Sequence, residues 1–441
     1  MSPTLVATPG GEGTPTQIDE PPPVSRASRR SGALWRWDVA TVVLGLSFVV
    51  LVGWHGSTVW RVVRVVIVVA VTLGALWLEH RTNRAIRSVC GLAIGVVATS
   101  AGIGIGLMHV VKSDVDVIAV AGLVTLAAGL YLFVAATVLL IRTTPGWWRV
   151  LSVVVVLLAL QFILEPFAIA MYASNAPAFP LDSTTPASRG LPYGNVTLTT
   201  SDGVHLAAWY VPSRNGAAVV LLHGAGSTRT SVLGQAAVLA HRGYGVMMGD
   251  ARGHGQSGGD AQENGWWGNS DTSSAVNWLE TRPDVVGGKV AVLGMSMGGE
   301  EAIGAAGADK RIRAVVTDGA LWRGAMDGGW LPHSFSGYVE RADLSVQTAL
   351  TGLLTSAPTP PSLASSLRAS APRPVLLIAS KAEIQGDRLL RKASPSNVEL
   401  WELPDTSHTE GLATHPAAWE SHVIGFLDRS LGVNQAKVGP S

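Results

Sequence analysis

The chain has two hydrophobic regimes. Between residues 38 and 173 it is almost continuously apolar, in runs at about 38–55, 59–78, 89–110, 115–141 and 149–172. Crossing a bilayer takes roughly 20 mostly apolar residues. These runs have that length and almost no polar face, so they predict a bundle of about five transmembrane helices over residues 35–173. From residue 193 the pattern changes to short apolar runs between polar, glycine-rich stretches. Strands are predicted at 195–200, 204–211, 217–223, 244–250, 289–294, 312–318, 374–380 and 398–403. Helices are predicted at 231–242, 271–281, 297–308 and 417–431. Asp202-Gly203 between the first two strands is a hairpin signal. A hairpin followed by alternating strands and helices predicts an α/β domain over 193–432 with a mostly parallel, doubly wound sheet.

Composition sharpens this division. Charged residues make up 14% of the chain and hydrophobic residues 47%, where soluble domains carry about 25% charged residues. The deficit falls in the first regime. Residues 1–34 are rich in Pro, Gly, Ser and Thr and read as a disordered basic tail ending in Arg26, Arg29, Arg30 and then Arg36. Ser28-Arg29-Arg30 faintly resembles a twin-arginine export signal, but the further apolar segments argue against a cleaved leader. Residues 174–192, with Pro177, Pro180, Pro186 and Pro192, read as a linker, and 433–441 as a flexible tail. The net charge of +1 and the lack of a long basic block give no reason to expect nucleic acid as a partner. The single cysteine, Cys90, rules out an intramolecular disulfide and reads as packing.

Loop charges predict orientation. Arg81, Arg84 and Arg87, and then Arg142 and Arg149, share a side with the basic tail. The opposite loops hold only Lys112 with Asp114 and Asp116, and His55. Positive charge stays inside, so the N-terminus is expected in the cytoplasm and the α/β domain outside. Arg61 and Arg64 run against this bias and are read as snorkelling. Gly91 with Gly95, and Gly102 with Gly106, have the spacing that lets helices approach closely. Glu165, beside Pro166 and one turn after Gln161, is an ionisable group inside the fifth run. It is read as facing the bundle interior or the head groups.

The chemistry gathers in the second regime. Gly294-Met295-Ser296-Met297-Gly298 follows the strand run Val290-Ala291-Val292-Leu293 and opens a helix. A serine on such a strained turn is the geometry of a nucleophile elbow, with glycines where side chains would strike the neighbouring strand and helix. The Met297 N–H at the helix start is expected to face a developing oxyanion. His223-Gly224-Ala225-Gly226, after another strand run, offers the Ala225 N–H as second donor. A serine hydroxyl needs a base. Of 11 histidines, His408 lies in a loop just past the last strand, overhanging the end of the sheet where Ser296 sits. The base needs a carboxylate behind it. Glu383, after the strand run Val375-Leu376-Leu377-Ile378, is the first choice, with Asp387 and Asp318 as rivals.

Residues 193–431 resemble the α/β-hydrolase family, in particular its esterase/lipase-like and serine-aminopeptidase-like members. The resemblance rests on His223-Gly224-Ala225-Gly226, Asp250-Ala251-Arg252-Gly253-His254-Gly255-Gln256-Ser257, Gly294-Met295-Ser296-Met297-Gly298-Gly299 and His408. It implies an eight-stranded sheet with helices on both faces and a lid. It also implies that Asp250, Arg252 and His254 are structural. The chain departs from the family at the acid: Ser380 stands where members usually have Gly, and Glu383 where they have Asp. The long stretch 319–372 corresponds to the family's lid, where Trp322, Trp330, Phe335, Tyr338 and Leu350 either line an acyl pocket or form the lid's own core.

These observations lead us to expect a membrane-anchored serine hydrolase acting on a small-molecule or lipid acyl substrate, without metal or organic cofactor. Two alternatives are an acyltransferase using the same residues with a lipid or envelope acceptor, and a non-catalytic membrane scaffold with a degenerate hydrolase domain.

Overall fold

The computed structural model describes residues 26–53, 58–113 and 115–433. Residues 1–25 of the tail expected over 1–34 and residues 434–441 of the tail expected over 433–441, with His55 and Asp114, lie outside the described residues. Among the described residues, five helices are long and apolar enough to cross a membrane. They are α1 (Arg26–Gly53), α2 (Thr58–Arg81), α3 (Arg84–Lys112), α4 (Val117–Thr143) and α5 (Trp148–Ser174). α1 begins inside the stretch expected to be unstructured, because the basic segment after residue 25 lacks proline and continues the helix backwards. Asn83 and Asp116 cap α3 and α4 by accepting hydrogen bonds from Ile86 N and Ala119 N.

The small-residue patterns in α3 pack it against other helices of the same bundle. A Cβ on Gly106 would stand 2.3 Å from the Gly122 carbonyl carbon of α4. One on Gly102 would stand 2.5 Å from the Leu126 Cα, and one on Gly91 would strike the Trp37 ring of α1. Polar groups buried between helices meet in pairs: Thr41 donates to Glu79 at 2.7 Å and Thr125 to Ser47 at 2.7 Å. Glu165 accepts from Gln161 at 2.9 Å and is exposed, on the helix surface and not in the bundle interior.

The second region is an eight-stranded sheet of order β1-β2-β4-β3-β5-β6-β7-β8. Its strands are β1 (Gly194–Thr199), β2 (His205–Val211), β3 (Ala218–Leu222), β4 (Gly245–Gly249), β5 (Val290–Met295), β6 (Ile312–Asp318), β7 (Val375–Ser380) and β8 (Val398–Leu403). β2 runs antiparallel to β1 and β4, and every other pairing is parallel. Gly203, at φ +83°, makes the opening hairpin. The helices are α6 (Leu233–His241), α7 (Gly268–Glu280), α8 (Met297–Ala308), α9 (Phe335–Leu354), α10 (Leu363–Ser370), α11 (Ile384–Ala393) and α12 (Pro416–Leu431). Sequence reading placed neither α11 nor the helices α9 and α10 within the lid stretch. Strands buried on both faces yield two cores. One centres on Leu221, Leu293, Trp419 and Phe426, the other on Val220, Val292, Ile303 and Leu377. Each fully buried side chain of this kind contributes about 1.5–3 kcal/mol.

The segment after α5 is not slack. Phe179 is buried against Ala176 and Ala261, Leu191 joins the first core, and Pro186–Arg189 forms a 3-10 turn. The bundle and the sheet domain are therefore joined by packed chain.

Candidate active site

Ser296 stands between β5 and α8 with φ +51°, a left-handed conformation that L-residues rarely adopt. The flanking glycines make this turn possible. A Cβ on Gly294 would lie 2.0 Å from the Gly298 oxygen, and one on Gly298 would lie 2.4 Å from the Leu222 oxygen. The Ser296 N–H donates to the Asp318 carbonyl at 2.9 Å, which ties the turn to β6.

His408 lies in the loop after β8. Its Nε2 is 2.9 Å from Ser296 Oγ and its Nδ1 is 2.8 Å from Glu383 Oε1. Glu383 is buried. Ser380 at the end of β7 donates its hydroxyl to the other carboxylate oxygen of Glu383. Burial raises the Glu383 pKa, but the hydrogen bonds from His408 and Ser380 outweigh it and hold the carboxyl below its ordinary range. The bond to Glu383 raises His408 above the ordinary histidine value, against the opposing effect of burial. The residue that departs from the family pattern, Ser380, is thus a direct hydrogen-bond donor to the acid.

The rival carboxylates behave differently. Burial pushes Asp318 up to about 7, and the neighbouring Glu383 adds to this, although His408 opposes it. Asp387 is raised well above the usual range by burial and by Glu383, Asp318 and Glu300 around it. Of the three acids weighed from sequence, Glu383 is the one hydrogen-bonded to His408 and kept ionised.

The glycine loop sits directly over the serine, since a Cβ on Gly224 would lie 3.3 Å from Ser296 Cβ. Gly226 N donates to the Glu263 carboxylate at 2.6 Å, and the His223 ring nitrogen Nδ1 bonds the Gly224 carbonyl at 2.8 Å. Ala225 is thereby fixed from both sides. Met297 N opens α8, where the first N–H groups have no partner within the helix. His223 is buried and its pKa is pushed down to about 3 by burial. Its Nε2 accepts from Ala251 N, so it braces the loop. Asp250 accepts from Arg229 and Gln256, and Arg252 pairs with Asp202 and Asp271 at 2.6 Å each. His254 pairs with Glu263 at 2.7 Å. Glu263 was not singled out in the sequence. Its link to Gly226 closes over 37 residues and leaves no local signal.

The lid residues divide. Glu300, in the first turn of α8 after Ser296, accepts from the N–H groups of Leu321 and Trp322 and roots the 319–372 stretch on α8. Trp330 packs toward Gly386 of α11, its Cγ lying 3.6 Å from where a Cβ on that glycine would stand. Phe335 and Tyr338, considered for an acyl pocket, are exposed, and Phe335 lies beside α5 in a groove with Leu157, Phe162 and Val339. Their helix packs on the bundle.

The sheet order, the serine at the β5–α8 turn and the histidine after β8 define an α/β-hydrolase. Within that class the chain belongs to the X-Pro dipeptidyl-peptidase (S15) family, whose model matches residues 188–410. It is 31% identical over 141 residues to YfhR of Salmonella typhi, an uncharacterised protein, covering 28% of this chain and 48% of the relative. The chain thus spans about half the length of that relative. It is 32% identical over 133 residues to the thiohydrolase aneE of Aspergillus aculeatus, covering 28% of this chain and 41% of that protein. The structure of an esterase of Pyrococcus furiosus aligns over 59% of this chain and 99% of its own, at 26% identity and TM-score 0.48.

Proposed function

We propose that this hydrolase is a membrane-anchored serine hydrolase that cleaves ester or thioester bonds through an acyl-enzyme. The line Ser296–His408–Glu383 carries the reading: a nucleophile, a base and an ionised acid at 2.9 and 2.8 Å. His408 Nε2 takes the Ser296 proton as Oγ attacks the carbonyl carbon. The N–H groups of Met297 and Ala225 hold the oxyanion, a contribution worth about 10²–10³ in rate per donor. His408 then protonates the leaving group, deprotonates a water and returns the proton to Ser296 as the acid departs. Glu383 stabilises the imidazolium throughout.

The family's name points to peptide bonds, and the relative named a thiohydrolase points to thioesters. Assays with p-nitrophenyl esters of rising chain length beside an X-Pro-p-nitroanilide decide between these. Ester turnover is expected to dominate; cleavage of the anilide alone overturns the ester reading. A fluorophosphonate probe is expected to label Ser296, and labelling that survives Ser296→Ala removes the assignment. The loop charges support a domain outside the cytoplasmic membrane. Protease added to intact cells should then remove it, and protection would reverse the orientation.

A further inference from the structure

Helix α9 belongs to the lid stretch, yet it obeys the packing rules of the bundle. Its outward stripe carries Phe335, 86% exposed, Tyr338, 58% exposed, and Leu353, 82% exposed, with Ala342, Ser345 and Ala349 between them. The ionisable groups of this helix lie off the stripe, with Asp343 on the flank that faces Glu165 of α5. Arg341 at its edge turns back to the carbonyls of Leu331 and Pro332, and Glu340 lies on the opposite flank. The buried side is polar instead, with Gln347 and Thr351 covered. A helix on a water-facing surface shows the reverse arrangement.

Its neighbours explain the inversion. At its C-terminal end Leu354 packs with Leu51, Ile105, Ile118 and Met171, which belong to α1, α3, α4 and α5. At its N-terminal end Phe335 and Val339 lie beside Leu157, Leu158 and Phe162 of α5, in a groove that also holds the Gln161–Glu165 pair. The 27 residues of α5 measure about 40 Å, against a hydrocarbon core of about 30 Å. Whichever end protrudes, Leu157–Phe162 stays within the core, and Phe335 with it. The lipid-facing surface of α5 therefore continues onto α9.

The same span also touches the site. A Cβ on Gly226, in the loop over Ser296, would lie 3.6 Å from Tyr172 Oη of α5 and 3.5 Å from the Phe179 ring. The root of α9 is tied to the serine's own helix: Ala325 N bonds Thr348, and Leu321 and Trp322 bond Glu300.

We propose that α9 is a lipid-contacting helix, with Phe335, Tyr338 and Leu353 set in the bilayer, and that the site at Ser296 takes acyl esters dissolved in that bilayer. The substrate half of this rests on the serine-hydrolase reading. The test uses the full chain in phosphatidylcholine nanodiscs. With Cys90→Ala as background, a nitroxide on Phe335→Cys or Leu353→Cys reports its surroundings. Collision with oxygen exceeding collision with a water-soluble nickel chelate is expected. The opposite ranking overturns lipid contact, and so does burial against a second copy that dilution relieves. Phe335→Asp with Leu353→Asp is expected to lower kcat/KM at least ten-fold for a bilayer-dissolved long-chain umbelliferyl ester, leaving p-nitrophenyl acetate within two-fold. No change for the long-chain ester, or an equal loss for both, overturns the substrate assignment. If the unaltered protein neither hydrolyses p-nitrophenyl acetate nor takes the fluorophosphonate label, the hydrolase reading has failed, while the nitroxide result still decides the place of α9.

Discussion

The bundle and the sheet domain bury polar chemistry in opposite ways. In the bundle, buried polar groups pair across helices, Thr41 with Glu79 and Ser47 with Thr125, and glycine serves to bring helix backbones together. In the sheet domain, buried carboxylates cluster on the serine's helix and at the neighbouring strand ends. Burial pushes Glu300 up to about 7 and Glu301 to about 8, and raises Asp318 and Asp387 with them. Glu383 alone of this group is held down, by His408 and Ser380 against the effect of burial. A buried carboxylate ionises only where donors compensate for lost water, and Glu383, the acid proposed for the chemistry, is the one so compensated. α9 crosses the division: it lies in the second region by sequence and packs by the rules of the first.

The largest effect that would sharpen this contrast comes from the serine. Ser296→Ala is expected to lower kcat/KM by about 10⁴-fold or more with the fold intact. Glu79→Gln, which alters the bundle's own buried carboxylate, should leave ester turnover within two-fold. Comparable losses in both variants, measured on the full chain in nanodiscs, would break the separation of the two regions.

Next comes the acid. Glu383→Gln is expected to cost about 10³–10⁴ in kcat/KM, whereas Asp318→Asn should cost less than ten-fold. The proposed mechanism needs neutral His408, and Glu383 raises its pKa. Activity should therefore fall as pH drops through a value above the ordinary histidine figure of about 6.5. In Glu383→Gln that acid limb should move to lower pH, because the imidazolium loses its partner. A limb that moves with Asp318→Asn and not with Glu383→Gln would transfer the role to Asp318.

How much of this was legible in the sequence depended on distance along the chain. The spans, the hairpin at Gly203 and the parallel strands were readable because periodicity and turn chemistry are local. Ser296 was readable because its glycines are adjacent. His408 and Glu383 could be proposed from their places after strands, but their meeting with Ser296 is a matter of sheet order. Glu263 gave no signal, since its partner Gly226 lies across the fold. Phe335 and Tyr338 were weighed as pocket residues because apolar side chains in a lid suggest a substrate. Only the packing of α9 on α5 shows that they face the bundle's surroundings. α11 leaves little trace in the sequence, because a short amphipathic helix between two strands shows only a few apolar positions.

The glycines give an intermediate effect. Gly294→Ala forces a Cβ to 2.0 Å from the Gly298 oxygen, and Gly106→Ala forces one to 2.3 Å from the Gly122 carbonyl carbon. Overpacking of this kind costs about 1–3 kcal/mol, occasionally more. The readouts should differ by region. Gly294→Ala should abolish fluorophosphonate labelling, because the serine turn cannot close. Gly106→Ala should lower the melting temperature in detergent while the surviving folded protein still labels. If Gly106→Ala also removes labelling, the bundle shapes the site more directly than packing at Gly226 implies.

The smallest effect concerns Ser380. Its hydroxyl donates to Glu383 on the oxygen that His408 does not use. A hydrogen bond to a charged group contributes about 1.5–3 kcal/mol, and only part of it reaches the transition state, because Glu383 is ionised before and during the reaction. Ser380→Ala should therefore lower kcat/KM by about three- to ten-fold with no change in fold. The sign of the pH effect follows from charge. Without the hydroxyl the Glu383 carboxylate is less favoured and its pKa rises. A carboxylate with a raised pKa is the more basic partner and, while ionised, supports the His408 imidazolium more, so the acid limb should move slightly to higher pH, opposite to Glu383→Gln. A rate loss without that movement would assign Ser380 to packing of the loop after β7. A movement without rate loss would show that Glu383 stays sufficiently ionised on its bond from His408 alone.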